Sequence, residues 1–397
     1  MPLGDRRATL WPVRICLIYD CLFPWTVGGA ERWMRNLAEA LAADGHTVTF
    51  LTRRQWPEDD PPKIAGVRVL AVSRDEPLYG PSGNRTIGEP LRFGWGVLHH
   101  LRRHGRGYDV VHTASFPYFS LLAAGAARRR GGYRIAVDWH EVWSDDYWAQ
   151  YLGGPKGYIA RRVQQACVRV PQDAFCFAEM TATRLRELGL QGEITVLRGE
   201  YDGPLDGRAG RIQPAEPLVL FAGRMIPEKQ APAVVGAVVQ ARLRIAALEG
   251  RIFGDGPQLA DVRAAISAAD AADVITAPGF VDAAVIEDTM ARACCLVLPS
   301  IREGYGTIVV EAAAAGVPTV LVQAPDNAAV EHIVDGVNGY VVADASPAAL
   351  GAAIERCWER RAELRRSTYG WFIENATTLS VGNSTERVVA RYASARS

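Results

Sequence analysis

Short apolar runs alternate along the chain with longer stretches whose apolar residues recur every three or four positions. Residues 13–19 form an apolar run with β-branched members, which predicts a strand. A loop follows. Ala30, Trp33, Met34, Leu37, Ala38 and Leu41 then fall at helical spacing, and Gly45 supplies a stop, which predicts a helix over 30–43. Further strands are expected at 48–51 and 67–72, and buried parallel strands at 109–112, 135–137 and 175–178. The scheme then repeats. Residues 218–222 read as a strand and 231–247 as largely helical. Strands are expected at 251–253, 274–276, 295–298, 319–322 and 340–342, with helices between them, including 311–315 and 347–361. Short apolar strands separated by helices imply parallel sheets covered on both faces, an α/β architecture.

A chain of 397 residues is long enough for two such domains. The segment 199–217 holds Gly199, Gly203, Pro204, Gly207, Gly210, Pro214 and Pro217, the composition of a linker. The expected division is an N-terminal Rossmann-like domain over 1–200 and a C-terminal one over 215–370. The last segment, 371–397, carries Trp371, Phe372, Ile373, Val388, Val389 and Tyr392, and is expected to form a helix packing back on the first domain. Two doubly wound domains would face each other across a central cleft, with ligands at the carboxyl ends of their strands.

Charge and cysteines narrow the function classes. Lys+Arg and Asp+Glu are both 44, so nothing global favours nucleic acid as a partner. The seven cysteines include no CxxC pair, which fits buried reduced thiols in a cytoplasmic protein better than a disulfide framework or a zinc site. Residues 1–10 carry Asp5, Arg6 and Arg7 and no apolar region of a signal peptide, and no run of about 18 apolar residues suggests an integral membrane segment.

The candidate chemistry centres on Pro299 to Ala315, PSIREGYGTIVVEAAAA. A strand ends at Pro299, a glycine loop follows, and a helix begins near Thr307. Glu303 then lies on the loop and Glu311 in the first or second helical turn. Backbone N–H groups near Gly306 and Thr307 offer a seat for phosphate oxygens. Glu311 is placed to take ribose hydroxyls, as acidic residues do in nucleotide sites, and Glu303 to take hydroxyls of a sugar beyond the phosphates.

This segment resembles the E-x7-E signature of the retaining glycosyltransferases of family 4, which have the GT-B fold. Pro299 and Ser300 before it, the EGYG inside it and the EAxAxG continuation carry the likeness. Phe221 to Gln230, FAGRMIPEKQ, is similar to the family's GR…K element after the first strand of the second domain. The resemblance implies that Gly223, Arg224 and Lys229 meet the donor diphosphate, the two cations stabilising the leaving group. Gln230 stands where the family usually has Gly. FGDGP at 253–257 resembles a structural turn or pocket wall, and PGFV at 278–281 places Phe280 and Val281 where the family's backbone contacts the base. Tyr305 completes the expected donor set.

In the first domain WTVGGAE resembles the family's N-terminal GG loop, so Gly28 and Gly29 are expected near the donor phosphate or the acceptor. No GxGxxG stands there, against a dinucleotide-dependent dehydrogenase. DWHEVW at 138–143 places His140 at a strand's carboxyl end, matching a family histidine that faces the donor sugar. Glu141 and Asp145 are candidates for the acceptor pocket.

The resemblance implies a hexosyltransferase that moves a sugar from a nucleotide-diphosphate donor, a UDP-sugar before a GDP-sugar, to a hydroxyl or other nucleophile of an acceptor such as a small natural product. No DxD motif is present, so neither a metal nor another cofactor is expected. A sugar phosphorylase, a sugar-nucleotide epimerase and a non-catalytic sugar-nucleotide-binding subunit are the alternatives. A GxSxG hydrolase elbow is absent.

Overall fold

The computed structural model describes residues 12–78, 86, 88–207 and 213–394. The N-terminal segment 1–10 and the linker residues 208–212 lie outside the described residues. The chain divides into two compact units, one built from residues up to Glu200 together with those from Val381, the other from Tyr201–Ser380.

The first unit holds β1 (Arg14–Ile18), β2 (Thr47–Arg53), β3 (Val67–Ser73), β4 (Val110–Ala114), β5 (Arg134–Trp139), β6 (Asp173–Cys176) and β7 (Ile194–Val196). They form one sheet in the order β3-β2-β1-β4-β5-β6-β7 with every neighbouring pair parallel. Helices cover both faces, so Ile15, Leu17, Ile18, Val111 and Val137 are fully buried and β1 is apolar from Ile15 to Ile18, while β4 buries His112 and Thr113 as well. The helix Gly29–Ala43 buries Trp33, Met34, Leu37, Ala38 and Leu41, the face its spacing predicts. The final helix, Val381–Ser394, packs on it and buries Val388 and Tyr392.

The second unit holds β8 (Leu218–Ala222), β9 (Glu249–Phe253), β10 (Ile275–Gly279), β11 (Cys295–Leu298), β12 (Arg302–Glu303), β13 (Thr319–Val322), β14 (Asp326–Asn327) and β15 (Gly339–Val342). Its sheet runs β10-β9-β8-β11-β13-β15, all parallel, and β12 pairs separately with β14. Counted within each unit, both sheets follow the doubly wound order 3-2-1-4-5-6, extended in the first by β7. The strand order reverses between β1 and β4 and again between β8 and β11. Chains leaving the carboxyl ends of those neighbours diverge to opposite faces and open a crevice.

The structure also differs from the sequence pattern in places. The helix Gly88–His104 and strand β7 were not anticipated. The C-terminal segment is two helices, Arg361–Leu379 and Val381–Ser394, parted at the extended residue Ser380. Residues 371–379 therefore stay with the second unit, and the chain rejoins the first at Val381. Tyr201, at the start of the linker, is anchored. Its N–H donates to Leu379 O at 3.0 Å, and its ring meets Phe372 edge-on at 5.1 Å. All seven cysteines are free and buried. Among the described residues no helix is long and apolar enough to cross a membrane.

Candidate active site

The loops that leave β8 and β11 flank the second unit's reversal point. After β8 the chain runs through Gly223, exposed Arg224 and a single 3-10 turn, Pro227–Lys229. Gln230 follows in the left-handed region at φ 49°, a conformation glycine adopts without cost, and caps the helix Ala231–Arg242. The β9 turn supports this loop from beneath. Gly223 N–H donates to Phe253 O at 3.1 Å and Met225 N–H to Asp255 O at 2.8 Å. Gly254 sits at φ +134°, and a Cβ there would fall 1.8 Å from Gly223 O. FGDGP is therefore a buttress for the GR loop.

Lys229 and Glu303, 74 positions apart, form an ion pair between Nζ and Oε1. Ser300 Oγ donates to the same carboxylate oxygen at 2.9 Å. Glu303 is only 7% exposed, so its charge stays inside because a cation and a hydroxyl compensate it. Its backbone is fixed by the β12–β14 pairing. Asn327, buried on β14, donates Nδ2–H to Ser300 O at 3.0 Å and to Val322 O at 2.9 Å, and accepts from Ala329 N–H at 3.1 Å. One side chain thus ties the loop after β11 to the loop after β13. Ile301 N–H donates to Glu228 O at 2.9 Å, joining the Lys229 turn to the Glu303 loop.

Beyond Glu303, Tyr305 is buried edge-on against His332 at 4.5 Å. Gly306, at φ 84°, begins the helix Thr307–Ala314 without a side-chain cap. A Cβ there would lie 2.7 Å from that of Ala329. Gly306→Ala is therefore expected to lower stability by about 1–2 kcal/mol from the left-handed backbone alone, measured as a drop in the urea midpoint. Glu311 lies partly buried in the second turn. Phe280, 74% exposed, and the half-buried Val281 follow the end of β10.

In the first unit Gly28 caps the helix that Gly29 opens, after β1 and beside that sheet's reversal point. His140 directly follows β5. Its ring stacks on Phe177 at 4.7 Å with a 2° angle between planes, and its Nδ1 lies 3.4 Å from Glu200 Oε1. Burial opposes charge on this imidazole. The contact with Glu200, and the negative charge of Glu200, Asp138 and Glu141, outweigh it, so the pKa lies above the ordinary 6.5. Glu141 accepts from Trp143 Nε1–H at 2.7 Å, and Asp145 pairs with Arg161 at 2.7 Å. Asp138 is fully buried. It accepts from Trp33 Nε1–H at 2.7 Å and lies 2.9 Å from His112 Nε2. Among the described residues no group of three His, Cys, Asp or Glu is arranged to hold a metal ion.

Of the expected residues the structure brings Lys229 and Glu303 into contact, and leaves the others on the loops and helix starts described above. Sequence reading missed Ser300 as a partner of Glu303, Asn327, and Glu200 beside His140. Ser300 stands within the motif and was open to notice, whereas Asn327 and Glu200 carry no local signal.

Two such units with this strand order are the domains of a GT-B fold. Sucrose-phosphate synthase from Thermosynechococcus elongatus has the same fold, with a TM-score of 0.77 at 21% identity, covering 96% of this chain and 98% of that one. The sequence profile "Glycosyl transferases group 1" matches residues 206–375, and "Glycosyl transferase 4-like domain" matches 28–200. Glycogen synthase from Mycobacterium tuberculosis is 28% identical, over 86% of this chain and 85% of its own. A 2-deoxystreptamine glucosyltransferase from Streptomyces kanamyceticus is 34% identical, over 71% of this chain and 64% of its own. The chain belongs to the group 1, family 4-like glycosyltransferases of GT-B fold, and it is a glycosyltransferase enzyme.

Proposed function

We propose that this enzyme transfers a hexose, with retention at the anomeric carbon, from a UDP-sugar to a hydroxyl of a small acceptor, without a metal ion. The Lys229–Glu303 pair carries the reading. It sets a cation and a buried carboxylate side by side on the loops after β8 and β11, with the helix Thr307–Ala314 starting four residues beyond Glu303.

On this reading the donor diphosphate rests against the first-turn N–H groups of that helix, near Gly306 and Thr307. Arg224 and Lys229 stabilise the negative charge that grows on the leaving nucleoside diphosphate as the glycosidic bond breaks. Glu311 takes the ribose hydroxyls, and Phe280 and Val281 flank the base. Glu303 receives hydroxyls of the transferred sugar and acts as its ligand, not as a nucleophile. The acceptor attacks from the face the leaving group vacates, and a phosphate oxygen receives its proton. The first unit, with Gly28, Gly29, His140, Glu141 and Asp145, binds the acceptor and the sugar end of the donor. The 2-deoxystreptamine glucosyltransferase, named for a small cyclitol, supports a small acceptor.

Thermal unfolding with UDP-, GDP-, ADP- and TDP-sugars, each with and without EDTA, tests the donor site. A ligand at 100 times its Kd adds about 2.7 kcal/mol of stability. A rise in Tm with UDP-sugars that EDTA leaves unchanged is the expected result. No rise with any nucleotide overturns the site, and a rise abolished by EDTA overturns the metal-free assignment.

A further inference from the structure

His140 is the first residue beyond the end of β5. It follows Trp139, whose backbone pairs with Cys176 of β6. One ring face lies flat on Phe177. One ring nitrogen, Nδ1, lies 3.4 Å from Oε1 of Glu200, the final residue of the first unit before the chain passes to Tyr201. The Glu200 side chain is only 6% exposed, so its charge is lodged there by design of the surroundings and not by chance at a wet surface. With the plane set by Phe177 and one edge set by Glu200, the imidazole has a single free direction, that of Nε2. Among the described residues this buried Nε2 has no hydrogen-bond partner. Native structures seldom leave a buried ring nitrogen unsatisfied, and where they do a ligand commonly completes it.

We infer that Glu200 is a positioning residue that holds His140 by Nδ1 as a charged pair and so presents Nε2–H to an oxygen of the nucleotide-sugar donor. The inference rests on the transferase reading above, and adds to it a residue that the motifs do not contain. Its chemistry follows from the tautomers. A neutral imidazole that gives its Nδ1–H to Glu200 has only a lone pair at Nε2, and can accept but not donate. The imidazolium carries a proton on both nitrogens. Its Nε2–H is then a charge-assisted donor, suited to a phosphate or hydroxyl oxygen. The groups that decide which form is present are Glu200 after β7, Asp138 on β5 and Glu141 beyond it. Phe177, after β6, faces the ring without charge. Together they keep the second proton to higher pH than in an ordinary histidine.

The sign is fixed by linkage. With its folded value raised, the pair favours the folded state fully below the unfolded value of 6.5, and that contribution is lost as pH rises through the folded value. Donor contact through Nε2–H is lost over the same rise.

Full-length protein labelled with ¹⁵N-histidine, followed by long-range ¹H–¹⁵N spectra against pH, reads the pair directly. His140→Gln assigns the signal. In the wild type the His140 ring is expected to titrate above 6.5, and in Glu200→Gln its proton affinity is expected to fall by about tenfold, one pH unit. The alkaline limb of the kcat profile is expected to move to lower pH by the same amount, and Glu200→Asp to restore part of both. A Glu200→Gln protein whose His140 titrates as in the wild type overturns the pair. One whose titration shifts while the alkaline limb stays in place overturns the role given to Nε2. The titration needs no turnover, so failure of the wild type to transfer from any nucleotide sugar would sink the proposed function while the spectra still decide the pair.

Discussion

Lys229→Ala is expected to lower kcat/KM for transfer by about 10²–10³, or about 2.7–4 kcal/mol, the usual cost of removing one preorganised contact to charge that develops in the transition state. Lys229 is suited to that task because its position does not have to be found during the reaction. The 3-10 turn Pro227–Lys229 is pinned to the neighbouring loop by the Ile301–Glu228 backbone bond. Its ammonium is pinned by Glu303, and its side chain is 16% exposed. A cation so placed does not reorganise when the leaving diphosphate gains charge. Folding is expected to survive, because Glu303 keeps the Ser300 hydroxyl as a partner and is left partly compensated. Lys229→Arg is expected to recover only part of the rate, since a planar guanidinium does not reproduce a compact ammonium. Steady-state kinetics with the donor varied, beside circular dichroism of each variant, measure the effect. Near-wild-type kcat/KM for Lys229→Ala would remove this residue from the mechanism.

The legibility of this chain follows from which interactions are local. The apolar strands of both sheets are legible because burial on two faces leaves little choice of residue, as in β1 and β11. The glycine loop and helix start at Gly304–Thr307 are legible because a left-handed cap and a tight approach require glycine there. The helix Gly88–His104 was hidden by the opposite ambiguity. Pro90, Gly94 and Gly96 read as breakers, yet Phe93, Val97 and Leu101 hold a helical face. Gly96 is there because a Cβ would meet Val72 O at 2.1 Å, a packing requirement that sequence does not distinguish from a turn. The break at Ser380 falls on a serine, and the nearby Gly382 lies inside the helix that follows. In the candidate site each motif is legible because its own residues are contiguous. The supports are not, because Asn327 bonds Ser300 from 27 positions away and Glu200 meets His140 from the segment after β7. Such contacts are created by the order of the strands and leave no spacing to read.

Glu303→Ala is expected to abolish most transfer as well, and the reason it should do so separates two roles for the carboxylate. One role is electrostatic. Glu303 fixes Lys229, so its loss frees the ammonium and costs the same transition-state contact that Lys229→Ala removes. The other is direct, the acceptance of hydroxyls from the transferred sugar. If the first role were all, the double variant Lys229→Ala, Glu303→Ala would be no slower than Lys229→Ala alone, because residues acting as one unit are not additive. With both roles, the double variant is expected to be slower than Lys229→Ala and about as slow as Glu303→Ala, a loss smaller than the product of the two separate losses. Glu303→Gln sharpens the distinction. It keeps an oxygen for a sugar hydroxyl and for Ser300 but gives up the charge that holds Lys229. It is therefore expected to fall between wild type and Glu303→Ala in kcat. Stability should suffer less than the 3–5 kcal/mol or so that breaking a fully buried ion pair costs, since the Lys229 chain is long enough to swing its ammonium into water. The comparison to make is kcat, donor KM and urea midpoint across the wild type and the four variants. A double variant as fast as Lys229→Ala would reduce Glu303 to a support for the lysine, and a Glu303→Ala protein with wild-type kcat would take both roles away.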